Sequence, residues 1–128
     1  MKSFVLFVIL TLMFTSGIAV RSGICEEKCP LQVKSFSPKM EAEIRRPDIY
    51  VILISECGAA IDISSIKMLF NNEPVVHEIS SNQDGSEVKV SFTPYNDLYD
   101  IYDIVVSGSD VNGNTIEKKW TFEVPYWL

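Results

Sequence analysis

From residue 31 onward, apolar and polar residues alternate in short runs separated by turn residues. In one such run Val88, Val90 and Phe92 alternate with Lys89 and Ser91. Because successive side chains of a strand point to opposite faces, alternation predicts half-buried strands. The runs predict strands at residues 31–36, 48–55, 65–70, 75–79, 87–93, 101–107 and 115–124. No run in this part of the chain has a helical period, so the pattern predicts an antiparallel sandwich or barrel.

The first 19 residues have a different pattern. Lys2 precedes an apolar run from Phe4 to Phe14, and the small residues Gly17 and Ala19 follow. A basic start, a short apolar core and small residues at the exit indicate a secretory signal peptide, residues 1–19. We therefore expect a secreted, periplasmic or cell-surface protein with no membrane insertion after cleavage. An arm at 20–30 then leads into one domain at 31–128.

Size and charge narrow the possibilities further. About 110 residues remain after cleavage, which suffices for one hydrophobic core. Seven strands in that length favour an immunoglobulin-like β-sandwich. The chain has 11 Lys and Arg against 17 Asp and Glu, a net charge of −6. Nucleic acids and anionic membranes require a basic surface, so we exclude them as partners.

Several short motifs occur in a fixed order along the predicted strands. They are SFSP at 35–38, RRPDIYVILIS at 45–55, GAAIDISSIKMLF at 58–70, SFTPYNDLYDIYDIVVSGSD at 91–110 and NGNTIEKKWTFEV at 112–124. This ordered set resembles the bacterial immunoglobulin-like domains of secreted and cell-surface proteins. The resemblance covers residues 31–124 and implies an all-β, seven-stranded antiparallel immunoglobulin-like sandwich. It also implies an interaction module rather than an enzyme.

Three residues have predicted structural roles within this fold. Tyr102 starts the sixth strand, where a tyrosine corner ties the strand to the preceding loop through the hydroxyl. Trp120 and Phe122 share one face of the last strand and should enter the core. Asp62 precedes a turn in which its carboxylate can accept a backbone N–H.

The polar stretch at 110–114 has two interpretations. Asn112-Gly113 predicts a hairpin turn. The alternative is a calcium cage at one end of the sandwich, formed by Glu56, Asp62, Asp110, Asn112 and Asn114. Counted from Asp110, however, an EF-hand would need glycine and glutamate at positions that Thr115 and Thr121 occupy. We favour the turn, expect no cofactor, and keep calcium as the alternative.

The cysteines are three in number, Cys25, Cys29 and Cys57. In an exported protein cysteines pair by default, and an odd count leaves one over. A Cys29–Cys57 disulfide would tie the arm to the sandwich. A local Cys25–Cys29 pair, free thiols and intermolecular bonds remain open.

The sequence offers little for catalysis. His77 is the only histidine, and on a short strand it is expected at the surface. The tail PYWL at 125–128 either covers the core or an edge, or presents a binding patch. We expect a non-catalytic module for adhesion or structural support, with a protein or cell-envelope partner. The alternatives are a calcium- or carbohydrate-binding module, and an accessory or inhibitor subunit of an exported enzyme.

Overall fold

The computed structural model describes residues 30–128. The predicted signal peptide, and the part of the arm that contains Cys25 and Cys29, lie outside the described residues. Those predictions therefore stay predictions.

The described residues form two four-stranded antiparallel sheets. The fold is the predicted all-β immunoglobulin-like sandwich. The strands are β1 Leu31–Ser37, β2 Ile49–Ser55, β3 Ile61–Phe70, β4 Glu73–Pro74, β5 Glu78–Ser81, β6 Glu87–Phe92, β7 Ile101–Asp110 and β8 Thr115–Glu123. Their hydrogen-bonded orders are β1-β2-β6-β5 and β4-β3-β7-β8, so the chain crosses between the sheets after β2, β4 and β6.

The strand count is eight rather than the predicted seven, because the predicted strand at 75–79 is wrong in position. Asn71 and Asn72 both take positive φ, 52° and 68°, which asparagine tolerates. They reverse the chain directly into the two-residue strand β4. The chain then leaves this sheet, and the strand on the opposite sheet starts only at Glu78.

β3 begins at Ile61, four residues earlier than the predicted start at 65. Its register with β7 shifts between Asp62 and Lys67, which marks a bulge. The Asp62 carboxylate accepts the backbone N–H and the hydroxyl of Ser64, at 3.1 and 2.7 Å. This side-chain turn interrupts the alternation, which is why the pattern alone placed the start of the strand too late.

The core lies between the two sheets and comes from the alternating inner residues of each strand. Phe122 and Val124 are each 1% exposed, and Trp120 is 8% exposed. The Trp120 indole N–H donates to the carbonyl of Pro38 at 2.8 Å, so its polar atom is satisfied. The other fully buried large side chains are Ile49, Val51, Leu53, Met68, Val88, Val90, Ile104 and Val106.

Candidate functional site

The turn between β7 and β8 is organised by one carboxylate. Asp110 accepts the backbone N–H groups of Asn112 and Asn114 through Oδ1, each at 2.9 Å. Its Oδ2 accepts the Asn114 side-chain amide, also at 2.9 Å. Gly113 takes φ 90°, a conformation that suits glycine. The Asn112-Gly113 turn is therefore held from inside by Asp110.

These bonds explain the electrostatics of Asp110. Asp110 is only 3% exposed. The side-chain hydrogen bond from Asn114 is the main reason that the pKa of Asp110 is lowered from its ordinary value of 3.8, with the backbone N–H donors adding to it. The ionised carboxylate thus has its charge compensated by N–H donors, and both of its oxygens are engaged.

The five residues of the calcium alternative do not converge. Ile61 pairs with Asp110 and Asp62 pairs with Ser109, so the two aspartates are on opposite faces of the sheet. Asp62 is engaged with Ser64, and Glu56 is exposed in the turn after β2. Among the five residues, hydrogen bonds join Asp110 to Asn112 and Asn114. Within residues 30–128, no three His, Cys, Asp or Glu side chains group as a metal site.

Cys57 lies in the turn that follows β2, where the Gly58 N–H donates to the Ser55 carbonyl at 3.2 Å. Its thiol is not free. The neighbouring Glu56 N–H contacts the carbonyl of Pro30 at 3.5 Å. The chain therefore enters the described sheet beside the turn that contains Cys57.

The opposite end of the sandwich is built around Tyr102. Its ring stacks on Phe70, with centroids 5.1 Å apart. Its hydroxyl accepts the backbone N–H of Tyr99 at 3.0 Å. The Leu98 N–H donates to the carbonyl of Arg45 at 2.9 Å, with the Leu98 side chain buried. These contacts fix the loop at 93–100 against the segment that precedes β2.

Arg45 connects this loop to the C-terminal tail. Its guanidinium lies 4.4 Å from the centre of the Tyr99 ring. Its Nη2 donates to the carbonyls of Tyr126, at 3.4 Å, and of Leu128. Its Nη1 is buried and has no acceptor among the described residues. Arg45 is therefore held in one orientation by the Tyr99 ring and by the carbonyls of Tyr126 and Leu128.

Arg46 anchors the other side of the same loop. Its Nε lies 3.4 Å from a carboxylate oxygen of Asp97, and its Nη1 donates to the carbonyl of Tyr95 at 3.4 Å. Both partners in the ion pair are about half exposed, so its contribution to stability is small. Together, the two contacts of Arg46 hold the loop at 93–100 against the segment that precedes β2.

Large apolar side chains remain exposed around these two arginines. Tyr95 is 88% exposed, Tyr126 78%, Trp127 67% and Tyr99 54%. The Tyr126 and Trp127 rings meet edge to face with centroids 5.6 Å apart. Because of this exposure, neither ring covers the core, whereas Pro125, the first residue of the tail, is buried. We name Arg45, Arg46, Tyr95, Tyr99, Tyr126 and Trp127 the aromatic–arginine surface.

Only part of this surface is visible in the sequence. Arg45 and Arg46 mark the start of a predicted strand and PYWL forms an unusual tail, but no pattern connects the two segments. Their proximity depends on pairing between segments that are distant in the chain. The Val124 N–H donates to the Asp100 carbonyl at 2.9 Å, and this bond places the tail beside the loop at 93–100.

Comparison with known proteins identifies the fold. No protein-family model and no curated protein matches this sequence. Among solved structures, CopC from Methylosinus trichosporium OB3b is similar with a TM-score of 0.52 and 19% identity, over 74% of this chain and 93% of that chain. The N-terminal Ig1-2 module of the Drosophila receptor protein tyrosine phosphatase DLAR has a TM-score of 0.46 and 11% identity, over 74% of this chain and 48% of that chain.

Because CopC is only 19% identical to this chain, the similarity establishes the fold and no activity. Residues 30–128 contain no helix that is long and apolar enough to cross a membrane.

Proposed function

We propose that this chain is an exported, non-catalytic interaction module that binds a protein partner of the cell envelope through the aromatic–arginine surface. One observation carries the proposal. Tyr126 and Trp127 remain largely exposed in a chain that buries its other tryptophan, Trp120. Clustered exposed apolar rings are disfavoured in water, and such patches typically mark interaction sites.

The residue types of the surface support a protein partner. Trp, Tyr and Arg are the residues most enriched among those that dominate binding energies at protein interfaces. Arg45 is already held by Tyr99 and the tail carbonyls, so binding requires little further ordering of its side chain. Five of the eleven exposed large hydrophobic residues of the described chain lie in the loop at 93–100 or in the tail, namely Tyr95, Tyr99, Tyr126, Trp127 and Leu128.

Export rests on the pattern of residues 1–19, and the bacterial context rests on the resemblance of the motifs. Calcium is not part of this proposal, because Asp110 uses both oxygens inside the hairpin turn. Adhesion and structural support remain equally compatible with a binding surface of this kind.

The test measures which proteins of the cell envelope are captured by the wild-type protein and by two variants. Tyr126→Ser with Trp127→Ser removes the exposed rings, and Val111→Ser removes an apolar side chain, 64% exposed, from the turn after β7. We expect one stoichiometric partner to bind the wild type and the Val111 variant, and to lose at least about tenfold in affinity for the double variant. Equal affinity for all three proteins would refute the proposal. If the surface binds a glycan and no protein, it would be assigned to carbohydrate binding.

A further inference from the structure

β8 lies at the edge of its sheet and contains none of the residues of the aromatic–arginine surface. β8 spans Thr115–Glu123 and pairs with β7 on one side only. At its end, the Glu123 N–H donates to the Met40 carbonyl, and its carbonyl accepts from the Ala42 N–H, both at 2.9 Å. This contact covers the edge at residue 123 and leaves the rest of the strand open.

The same contact defines which backbone groups face outward. Backbone N–H and C=O groups alternate in direction along a strand. Since those of Glu123 point away from β7, those of Thr115, Glu117, Lys119 and Thr121 do so too. The Asn114 carbonyl, which has the other parity, accepts from the Asp110 N–H in β7. Within residues 30–128, these four residues of β8 thus present backbone groups without a partner along one edge.

The side chains at these four positions are all exposed on the outer face of the sheet. In chain order they are Thr115, Glu117, Lys119 and Thr121. A second copy running antiparallel, centred on residue 118, would place Glu117 opposite Lys119 of the other copy, twice. It would also place threonine opposite threonine at both ends. Opposite charges and threonine pairs in these positions stabilise antiparallel pairing.

Two independent features select this register. The chain at 40–42 blocks the edge at Glu123, and the hairpin turn ends it before Thr115, so the open window is centred on residue 118. Moving the centre by one residue would place Lys119 opposite Lys119, or Glu117 opposite Glu117. Neither Glu117 nor Lys119 has an ion-pair partner within the described chain. The charges are therefore available to a second copy.

Lys118 lies at the symmetry centre on the inner face, where two lysines would otherwise repel. Its ammonium lies 4.0 Å from the centre of the Phe36 ring in β1. The charge is thus directed to an aromatic face on its own copy rather than across the interface. We propose that this chain forms a symmetric dimer through antiparallel pairing of β8 with β8 of a second copy, joining two four-stranded sheets into one.

The pairing would form about eight backbone hydrogen bonds across the edge. Lysine on an open edge normally discourages strand addition. Here each Lys119 faces a Glu117, so the pattern discourages other partners and permits a second copy. The inference does not depend on the aromatic–arginine surface.

Sedimentation equilibrium of the purified protein tests the proposal, with a non-reducing gel to identify any disulfide-linked dimers. We expect a reversible dimer that Lys119→Glu weakens at least about tenfold, because two attractive pairs become repulsive. The double variant Glu117→Lys with Lys119→Glu should restore it. Lys89→Glu on β6, in the opposite sheet, changes the net charge equally away from the edge and should leave it unchanged.

Each other outcome overturns the proposal. A wild-type monomer at all concentrations would exclude the dimer. A dimer unaffected by Lys119→Glu would exclude this edge. A dimer weakened by Lys119→Glu and not restored by the double variant would exclude the register.

Discussion

Replacing Asp110 by alanine removes the acceptor that organises the β7–β8 turn. The carboxylate accepts three N–H groups, each at 2.9 Å. Hydrogen bonds to charged groups contribute about 1.5–3 kcal/mol each. Because the turn is at the end of the sandwich, water replaces part of this once the side chain is gone. We therefore expect Asp110→Ala to lower the free energy of unfolding by about 2–4 kcal/mol.

Urea denaturation followed by tryptophan fluorescence measures this loss at pH 7. In a domain of this size the same loss lowers the melting temperature by about 10–20 °C. Asp110→Asn keeps an acceptor for the two backbone N–H groups but brings its amide donor against that of Asn114, so it should lose an intermediate amount. Asn112→Ala is the matched control in the same turn. Its side chain is exposed, and its backbone N–H is retained.

The control should stay within about 0.5 kcal/mol of the wild type. A loss below that limit for Asp110→Ala would refute the assignment of Asp110 as the organiser of the turn. Added calcium provides a second check on the same residue. Since both oxygens are engaged by N–H donors, we expect millimolar calcium to leave the melting temperature of the wild type unchanged. A rise of several degrees that Asp110→Ala abolishes would restore the calcium alternative.

Three further predictions concern the pH dependence of Asp110, the hydroxyl of Tyr102 and the pairing of Cys57. The pKa of Asp110 is lowered in the folded state, so its contribution is present above its ordinary value of 3.8 and is lost as the pH falls through the lower folded value; the stability difference between the wild type and Asp110→Ala should shrink from pH 5 to pH 2, and a constant difference would contradict this. Tyr102→Phe removes the acceptor of the Tyr99 N–H and should cost about 1 kcal/mol in urea denaturation; no change would show that water replaces the hydroxyl. The contact between Glu56 and Pro30 favours a Cys29–Cys57 disulfide, which peptide mapping under non-reducing conditions should recover; a Cys25–Cys57 peptide would show the other pairing.

Strand positions could be predicted from the sequence where apolar and polar residues alternate without interruption. β6 could be placed within one residue because Val88, Val90 and Phe92 alternate without interruption. β3 could not, since the Asp62 side-chain turn breaks the period at the bulge. The switch of the chain from β4 to β5 was also placed wrongly, because Val75, His77 and Ile79 alternate as half-buried positions although the strand begins only at Glu78.

The candidate sites could be predicted from the sequence only where residues adjacent in the chain form them. The Asn112-Gly113 turn was predictable because its chemistry is contained in adjacent residues. The aromatic–arginine surface was not, since Arg45 and Tyr126 are brought together only by the fold. The open edge of β8 is similar. Its exposed residues are visible in the alternation, whereas the strand order that leaves them at an edge is a property of the whole sandwich.

The most direct test of the aromatic–arginine surface is site-specific photocrosslinking in the cell that produces the protein. A photoreactive phenylalanine derivative replaces Trp127 in one variant and Val111, at the opposite end, in the other. The proposed function predicts a discrete crosslink to another protein from position 127 and none from position 111. No crosslink from position 127, or the same products from both positions, would contradict it.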